Sequence, residues 1–163
     1  MTTGAKKISA RTVFTDPVHL LAFGLGLGLV PVAPGTAGTL LGVLLAWLAL
    51  ELGLAVQIAL GVAMFVAGIW ICGNSSRRLG QHDPGGIVWD EIAAMYFTLL
   101  VVPATISAWI AAFVLFRLFD IVKPWPIRDL DHRMGGGLGI MLDDLVAALY
   151  AAILLVSYRW LMT

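Results

Sequence analysis

Acidic residues stand in a few short clusters beside long apolar runs of this chain. Adjacent pairs occur at Asp90–Glu91 and Asp143–Asp144, and single carboxylates occur at Asp83 and Asp120. Carboxylate oxygens are the ligands that a hard cation such as Mg²⁺ prefers. Each pair, if helical, can direct one carboxylate at an ion and the other at a second group. The alternative is simple stabilisation by the dipole at a helix start, about 0.3–1 kcal/mol per group, which explains two adjacent pairs less well.

Two basic residues stand close to one of these acids. Arg117, Asp120 and Lys123 are spaced by three, so they share a face if a helix persists to Pro124. Asp120 would then hold two cations toward a phosphate. The same spacing fits equally well a salt-bridged helix end whose long side chains reach toward water.

A glycine-rich stretch, P-V-A-P-G-T-A-G-T over residues 31–39, predicts a tight loop that opens a helix. Thr36 or Thr39 would be the N-cap, and the glycines would let the backbone approach a ligand. The stretch lacks the G-K-[ST] of a Walker A loop, but amides at a helix N-terminus can hold a phosphate. The candidate phosphate-binding residues here are Gly35, Thr36, Gly38 and Thr39.

A competing motif is the C-x5-R spacing of Cys72 and Arg78, which matches cysteine-dependent phosphatases. Cys72 ends an apolar run, and a helix C-terminus there would raise the pKa of the thiol and weaken it as a nucleophile. The sequence therefore favours a small buried residue at this position.

Composition favours an integral membrane protein. Hydrophobic residues make up 60% of the 163-residue chain and charged residues 12%, and the mean hydropathy is +0.95. A net charge of zero argues against nucleic acid as a partner, and one cysteine excludes an internal disulfide. The length predicts a single membrane-embedded domain over 1–163, with residues 1–15 as a flexible or interfacial N-terminus.

Apolar runs separated by polar loops predict an all-α, multi-pass helical bundle. The expected elements are an interfacial segment at 18–30, a hairpin at 39–50 and 54–72, a hairpin at 92–116 divided by Pro103, and a last helix from Gly139.

The order of these elements gathers the polar loops at 31–38, 73–90 and 117–144 on one side, together with the N-terminus. That side would hold nine of the ten Lys/Arg residues, all but Arg159, so the positive-inside rule predicts that it is cytoplasmic. Several runs are shorter than the ~20 residues of a full span, which leaves open whether each one crosses.

Four motifs in order carry a resemblance to a known family. P-V-A-P-G-T-A-G-T, D-P-G-G-I-V-W-D-E, F-R-L-F-D-I-V-K-P-W-P-I and G-G-L-G-I-M-L-D-D resemble those of phosphatidylglycerophosphatase A, and the resemblance extends from about Gly24 to Ala151. One departure is Ala94, where the family pattern leads us to expect glycine after the acidic pair.

The resemblance implies an Mg²⁺-dependent lipid phosphatase of the bacterial inner membrane. Such an enzyme converts phosphatidylglycerophosphate to phosphatidylglycerol and phosphate, with its active site toward the cytoplasm. Since the sequence offers no convincing protein nucleophile, we favour attack by a metal-activated water. The implied catalytic residues are Asp90, Glu91, Asp120, Lys123, Asp143 and Asp144. The implied metal ligands are Asp83, Glu91, Asp120, Asp143 and Asp144, and Arg117 and Lys123 join the Gly35–Thr39 stretch in binding the phosphate.

A rival function is a small channel or transporter whose intramembrane acids line an ion path. The predicted position of the acids at helix starts, on one face of the bundle, argues against it. The sequence leaves the oligomeric state and the general base open.

Overall fold

The chain folds as a helical bundle. The computed structural model describes residues 8–81, 84–125, 127 and 135–162, and within these ranges it contains helices and no strand, which confirms the predicted all-α class. The helices are α1 (Ala10–Thr15), α2 (Pro17–Ala22), α3 (Pro34–Leu48), α4 (Leu54–Leu79), α5 (Trp89–Leu100), α6 (Ile106–Val122) and α7 (Gly136–Met162), with a 3-10 segment (Gly24–Leu29) between α2 and α3.

Within the described part of the chain, two helices, α4 and α7, are long and apolar enough to cross a membrane, with mean hydropathies of 2.2 and 2.0. Only 17% of the most apolar window of α4 is buried, so most of its surface faces outward. A soluble helix would bury that surface, and its exposure here indicates membrane association. The helices α3 and α5, of 15 and 12 residues, fall short of the ~20 residues that a full span needs.

The helix α5 lies at the centre of the bundle and packs against α3, α4, α6 and α7. The residues between Ile92 and Tyr96 are all buried, and Thr98 and Leu99 continue the buried surface. Glycine allows α3 to come very close, because a Cβ added at Gly42 would lie 2.6 Å from the Ile92 carbonyl oxygen. This packing fixes the position of the first turn of α5, where the acidic pair begins.

Five helix ends meet at one end of the bundle, which we call the site end. The N-terminus of α3 reaches α5 and α6 there, since a Cβ added at Gly35 would lie 2.0 Å from Glu91 Oε1 and 2.9 Å from an Arg117 nitrogen. The C-terminal part of α4 meets the start of α7, where a Cβ added at Gly73 would lie 3.0 Å from the Gly137 nitrogen. The structure thus collects the polar helix ends in one place.

Two predicted boundaries were wrong. The helix α3 begins at Pro34 after the left-handed N-cap Ala33 (φ 51°), so neither threonine is the cap, and the predicted loop is largely the first turns of a helix. The helix α4 continues seven residues past Cys72, until Gly80 adopts a left-handed conformation (φ 66°). The sequence placed residues 73–79 in a loop because they are polar. A helix can nevertheless continue past an apolar core when its last turns meet water or other polar groups.

The N-terminal segment packs across the C-terminal end of α4. His19 Nδ1 lies 2.8 Å from Ser75 Oγ in a buried contact, and Arg78 forms an ion pair with Asp16. The predicted interfacial segment 18–30 is divided between α2 and the 3-10 segment, whose Leu25 has a left-handed backbone (φ 59°). Neither piece is long enough to cross a membrane.

Candidate active site

Three carboxylates from two helices form a compact group at the site end. Asp90 and Glu91 lie in the first turn of α5, and Asp144 lies about two turns into α7. One oxygen of each lies within 4.8 Å of the others, and we call these three residues the carboxylate cluster. Asp90 and Asp144 are 8% and 3% exposed. Dipole stabilisation at a helix start therefore cannot explain Asp144, which lies beyond the first turn.

Two ion pairs flank the cluster. Arg117 on α6 pairs with Asp120 one turn later, and its guanidinium also lies 3.6 Å from Glu91 Oε1. Lys123 Nζ donates to Asp143 Oδ2 at 2.6 Å. The predicted common helix face for the three residues ends before Lys123, because this residue is the left-handed C-cap of α6 (φ 45°). Its backbone turns the lysine toward α7.

The adjacent acids Asp143 and Asp144 take different partners. Asp143 Oδ1 accepts the backbone N–H of Asp144 at 3.0 Å, while its other oxygen binds Lys123. Asp144 joins Asp90 and Glu91 instead. Neighbouring residues on a helix point about 100° apart, and this divergence lets Asp143 and Asp144 take part in two separate contacts.

Among the described residues of the site, negative charge exceeds positive charge. The carboxylate cluster with Asp120 and Asp143 supplies five acids, against the two cations Arg117 and Lys123. The pKa of Glu91 is raised from 4.5 to about 8, mainly because the carboxyl group is buried and also because the carboxylates of Asp144 and Asp120 lie nearby, while Asp90 and Arg117 act in the opposite direction. A bound cation would relieve this repulsion.

The donors present fit a hard divalent cation. Glu91 Oε2 and Asp144 Oδ2 are buried without a hydrogen-bond partner among the described residues. A buried carboxylate oxygen left in this way costs free energy unless an ion or a water satisfies it. The cluster offers only oxygen ligands, which is the set that Mg²⁺ prefers.

The N-terminus of α3 forms one wall of the site. Gly35 lies directly against Glu91 and Arg117, where any side chain would collide with them. Gly38 instead packs against Val88, and Thr39 is buried with its hydroxyl donating to the Gly35 carbonyl at 2.8 Å. Of the four candidate phosphate-binding residues, Gly35 lies in contact with the charged groups, and Thr36 lies beside it in the half-buried first turn.

The cysteine-phosphatase alternative fails on geometry. Cys72 is fully buried and its thiol lies 3.9 Å from Met141 Sδ. The residues between Cys72 and Arg78 belong to α4, so they cannot wrap around a phosphate as a loop would. Arg78 is held by Asp16.

One predicted metal ligand, Asp83, lies outside the described residues. The pairing of Lys123 with Asp143, 20 residues later, was missed because it depends on how α6 and α7 pack. No local pattern signals such a contact.

The fold and the site together define a helical, membrane-associated protein with a buried carboxylate centre flanked by two cations. The chain belongs to the phosphatidylglycerophosphatase A family, whose sequence profile matches residues 20–159. The proteins named phosphatidylglycerophosphatase A from Haemophilus influenzae and Escherichia coli are 42% and 40% identical to it. These matches cover 96% and 93% of this chain, and 95% and 90% of the relatives.

A third relative carries a different name. A putative phosphatidylinositol-3-phosphatase from Bacteroides thetaiotaomicron is 40% identical over 86% of this chain and 92% of its own length. No solved structure matches the chain significantly.

Proposed function

We propose that this protein hydrolyses phosphatidylglycerophosphate to phosphatidylglycerol and phosphate, and that it requires Mg²⁺. The observation that carries the proposal is the buried carboxylate cluster beside Arg117 and Lys123, in a chain 40–42% identical to two proteins named phosphatidylglycerophosphatase A. A phosphate monoester is a doubly charged group that binds where a metal ion and fixed cations meet.

The cluster would hold the metal ion, with Glu91 and Asp144 supplying their unsatisfied oxygens and Asp90 completing the set. Further ligands would come from Asp83, Asp120 and Asp143. When bound, the cation supplies positive charge that attracts the phosphate and lowers the pKa of a water molecule.

The chain's own cations would orient the phosphate. Lys123, held by Asp143, and Arg117, held by Asp120, would donate to phosphate oxygens. Phosphoryl transfer spreads negative charge over these oxygens, and donors fixed beforehand stabilise it without reorganisation. The N-terminus of α3 at Gly35 and Thr36 adds the positive end of its dipole.

The site would lie at the level of the lipid headgroups on the cytoplasmic face of the inner membrane, in a multi-pass chain. Nine of the ten Lys/Arg residues fall on the predicted cytoplasmic side, which supports this orientation. At the end of α6, Ile121, Val122 and Trp125 are 70%, 62% and 77% exposed beside the charged site. Apolar and aromatic side chains in such a position are typical of a membrane interface.

Phosphate release by the purified protein in detergent tests the function. We expect release from phosphatidylglycerophosphate with Mg²⁺, loss in excess EDTA, and loss in Asp144→Asn. Phosphatidylinositol-3-phosphate belongs in the same assay because of the third relative. Release that persists in EDTA would contradict the metal requirement, and release from the inositol lipid alone would replace the proposed substrate.

A further inference from the structure

An apolar groove follows α7 away from the site end. Its first part is a cavity of about 360 Å³ between α5 and α7, lined by Phe97, Thr98 and Leu145 among others. A second cavity of about 260 Å³ shares Val101 and Ala152 with the first. Because they share these residues, the two cavities adjoin each other, and their combined lining follows α7 from Leu145 to Ser157; we call the two together the groove.

The groove extends below the carboxylate cluster, and part of its lining lies on the helix faces that carry the carboxylates. Thr98 follows Glu91 by seven residues and Ala148 follows Asp144 by four, and these spacings keep residues on one face of a helix. The groove therefore begins beside Asp144, which directly precedes its lining residue Leu145, and Ala148 and Thr98 line it about 6–10 Å below the carboxylates. Its wall is apolar even at Thr98, whose hydroxyl donates to the Ala94 carbonyl at 2.9 Å.

The length of the groove matches one leaflet of a bilayer. Leu145 and Val156 are eleven residues apart, which corresponds to about 16 Å along a helix. Half of the hydrocarbon core of a bilayer is about 15 Å thick. A chain that starts at a headgroup in the site would reach the bilayer centre at the far end of the groove.

We propose that this groove binds one acyl chain of the lipid whose phosphate occupies the site. The proposal rests on the proposed function, and it adds that the enzyme recognises the chain as well as the headgroup. An acyl chain is the occupant because the groove continues from the site of a lipid phosphate, lacks charged residues along Leu145–Ser157, and has the right depth. Binding the chain would fix the depth and direction of the phosphate above it.

A bulky residue in the groove tests the proposal. Ala152 is half-buried in the wall shared by the two cavities, so Ala152→Phe would fill the groove midway. The control is Ala63→Phe on the exposed, lipid-facing side of α4. Each variant is assayed with dipalmitoyl and dihexanoyl phosphatidylglycerophosphate, because a six-carbon chain is too short to reach Ala152.

We expect Ala152→Phe to lower kcat/KM for the long-chain substrate by roughly tenfold, the loss expected when about two methylene groups leave an apolar site. The short-chain substrate and the control variant should change less than about twofold. Equal losses on both substrates, or no loss on either, would overturn the proposal. A change in oligomeric size on substitution would assign the groove to a second copy of the chain and would also overturn it.

A measurement without turnover separates this proposal from the proposed function. Phosphatidylglycerol carrying a photoactivatable group midway along one acyl chain should label α7 between Leu145 and Val156 in wild type, and much less in Ala152→Phe. Labelling confined to other helices would refute the groove, whatever the activity of the enzyme. A wild-type protein that labels as expected but releases no phosphate would refute the function alone.

Discussion

Gly35→Ala adds a single methyl group at the contact between α3 and the charged site. That methyl would lie 2.0 Å from Glu91 Oε1, whereas real Cβ contacts are essentially never shorter than 3.0 Å. The neighbouring atoms belong to Glu91 and Arg117, which are themselves paired, so one cannot move without disturbing the other. The substitution therefore tests the site without removing any functional group.

The expected size of the effect follows from these distances. Glu91 Oε1, or α3 itself, must shift by at least about 1 Å, and a misplacement of that size at a catalytic centre costs about 10²-fold in rate. Overpacking of this kind costs about 1–3 kcal/mol in folding free energy. The better helix propensity of alanine returns about 0.5–1 kcal/mol of that. We expect a folded protein with a large loss of turnover and weakened binding of Mg²⁺.

The assay is phosphate release against Mg²⁺ concentration, with thermal unfolding in detergent as the measure of folding. Gly85→Ala is the matched control, because no atom of the described residues lies within 4 Å of a Cβ added at Gly85. If Gly35→Ala keeps wild-type turnover and Mg²⁺ dependence, then Glu91 does not work where the structure places it, and the site must be reassigned.

Three other changes probe separate parts of the site. Lys123→Ala should lower turnover by about 10²-fold or more. It should lower the unfolding temperature less than Arg117→Ala does, because Lys123→Ala leaves one carboxylate uncompensated and Arg117→Ala leaves two. Equal losses of stability in the two variants, or near-normal turnover in Lys123→Ala, would contradict this. Cys72→Ser should leave turnover within a few-fold of wild type, and a large loss in a folded variant would revive a cysteine nucleophile. Because the pKa of Glu91 is raised to about 8, the folded metal-free protein keeps a proton that the unfolded chain loses. Its unfolding temperature should therefore fall as pH rises from about 5 to 8, and excess Mg²⁺ should reduce the fall; a rise with pH would refute the assignment.

Local patterns in the sequence were sufficient for the helical class and for the identity of the charged residues. Apolar runs broken at Pro103 and at the loop before Trp89 predict separate helices, because proline and glycine end helices through their own backbone chemistry. The pairing of Arg117 with Asp120 was also predictable, since residues three apart on a helix are neighbours. The four motifs pointed to the family that the comparisons then showed.

Only the packing of the helices decided which acids meet. Asp144 joins Asp90 and Glu91 because α5 and α7 lie side by side, while Asp143 turns to Lys123 across the gap to α6. The glycine at position 35 looked like part of a loop, and the structure instead makes it the point where α3 touches the site. Such contacts join residues tens of positions apart, and they depend on helix directions and close approaches that no local spacing encodes. The sequence by itself determined the chemistry available to this protein, and the tertiary structure decided where each group acts.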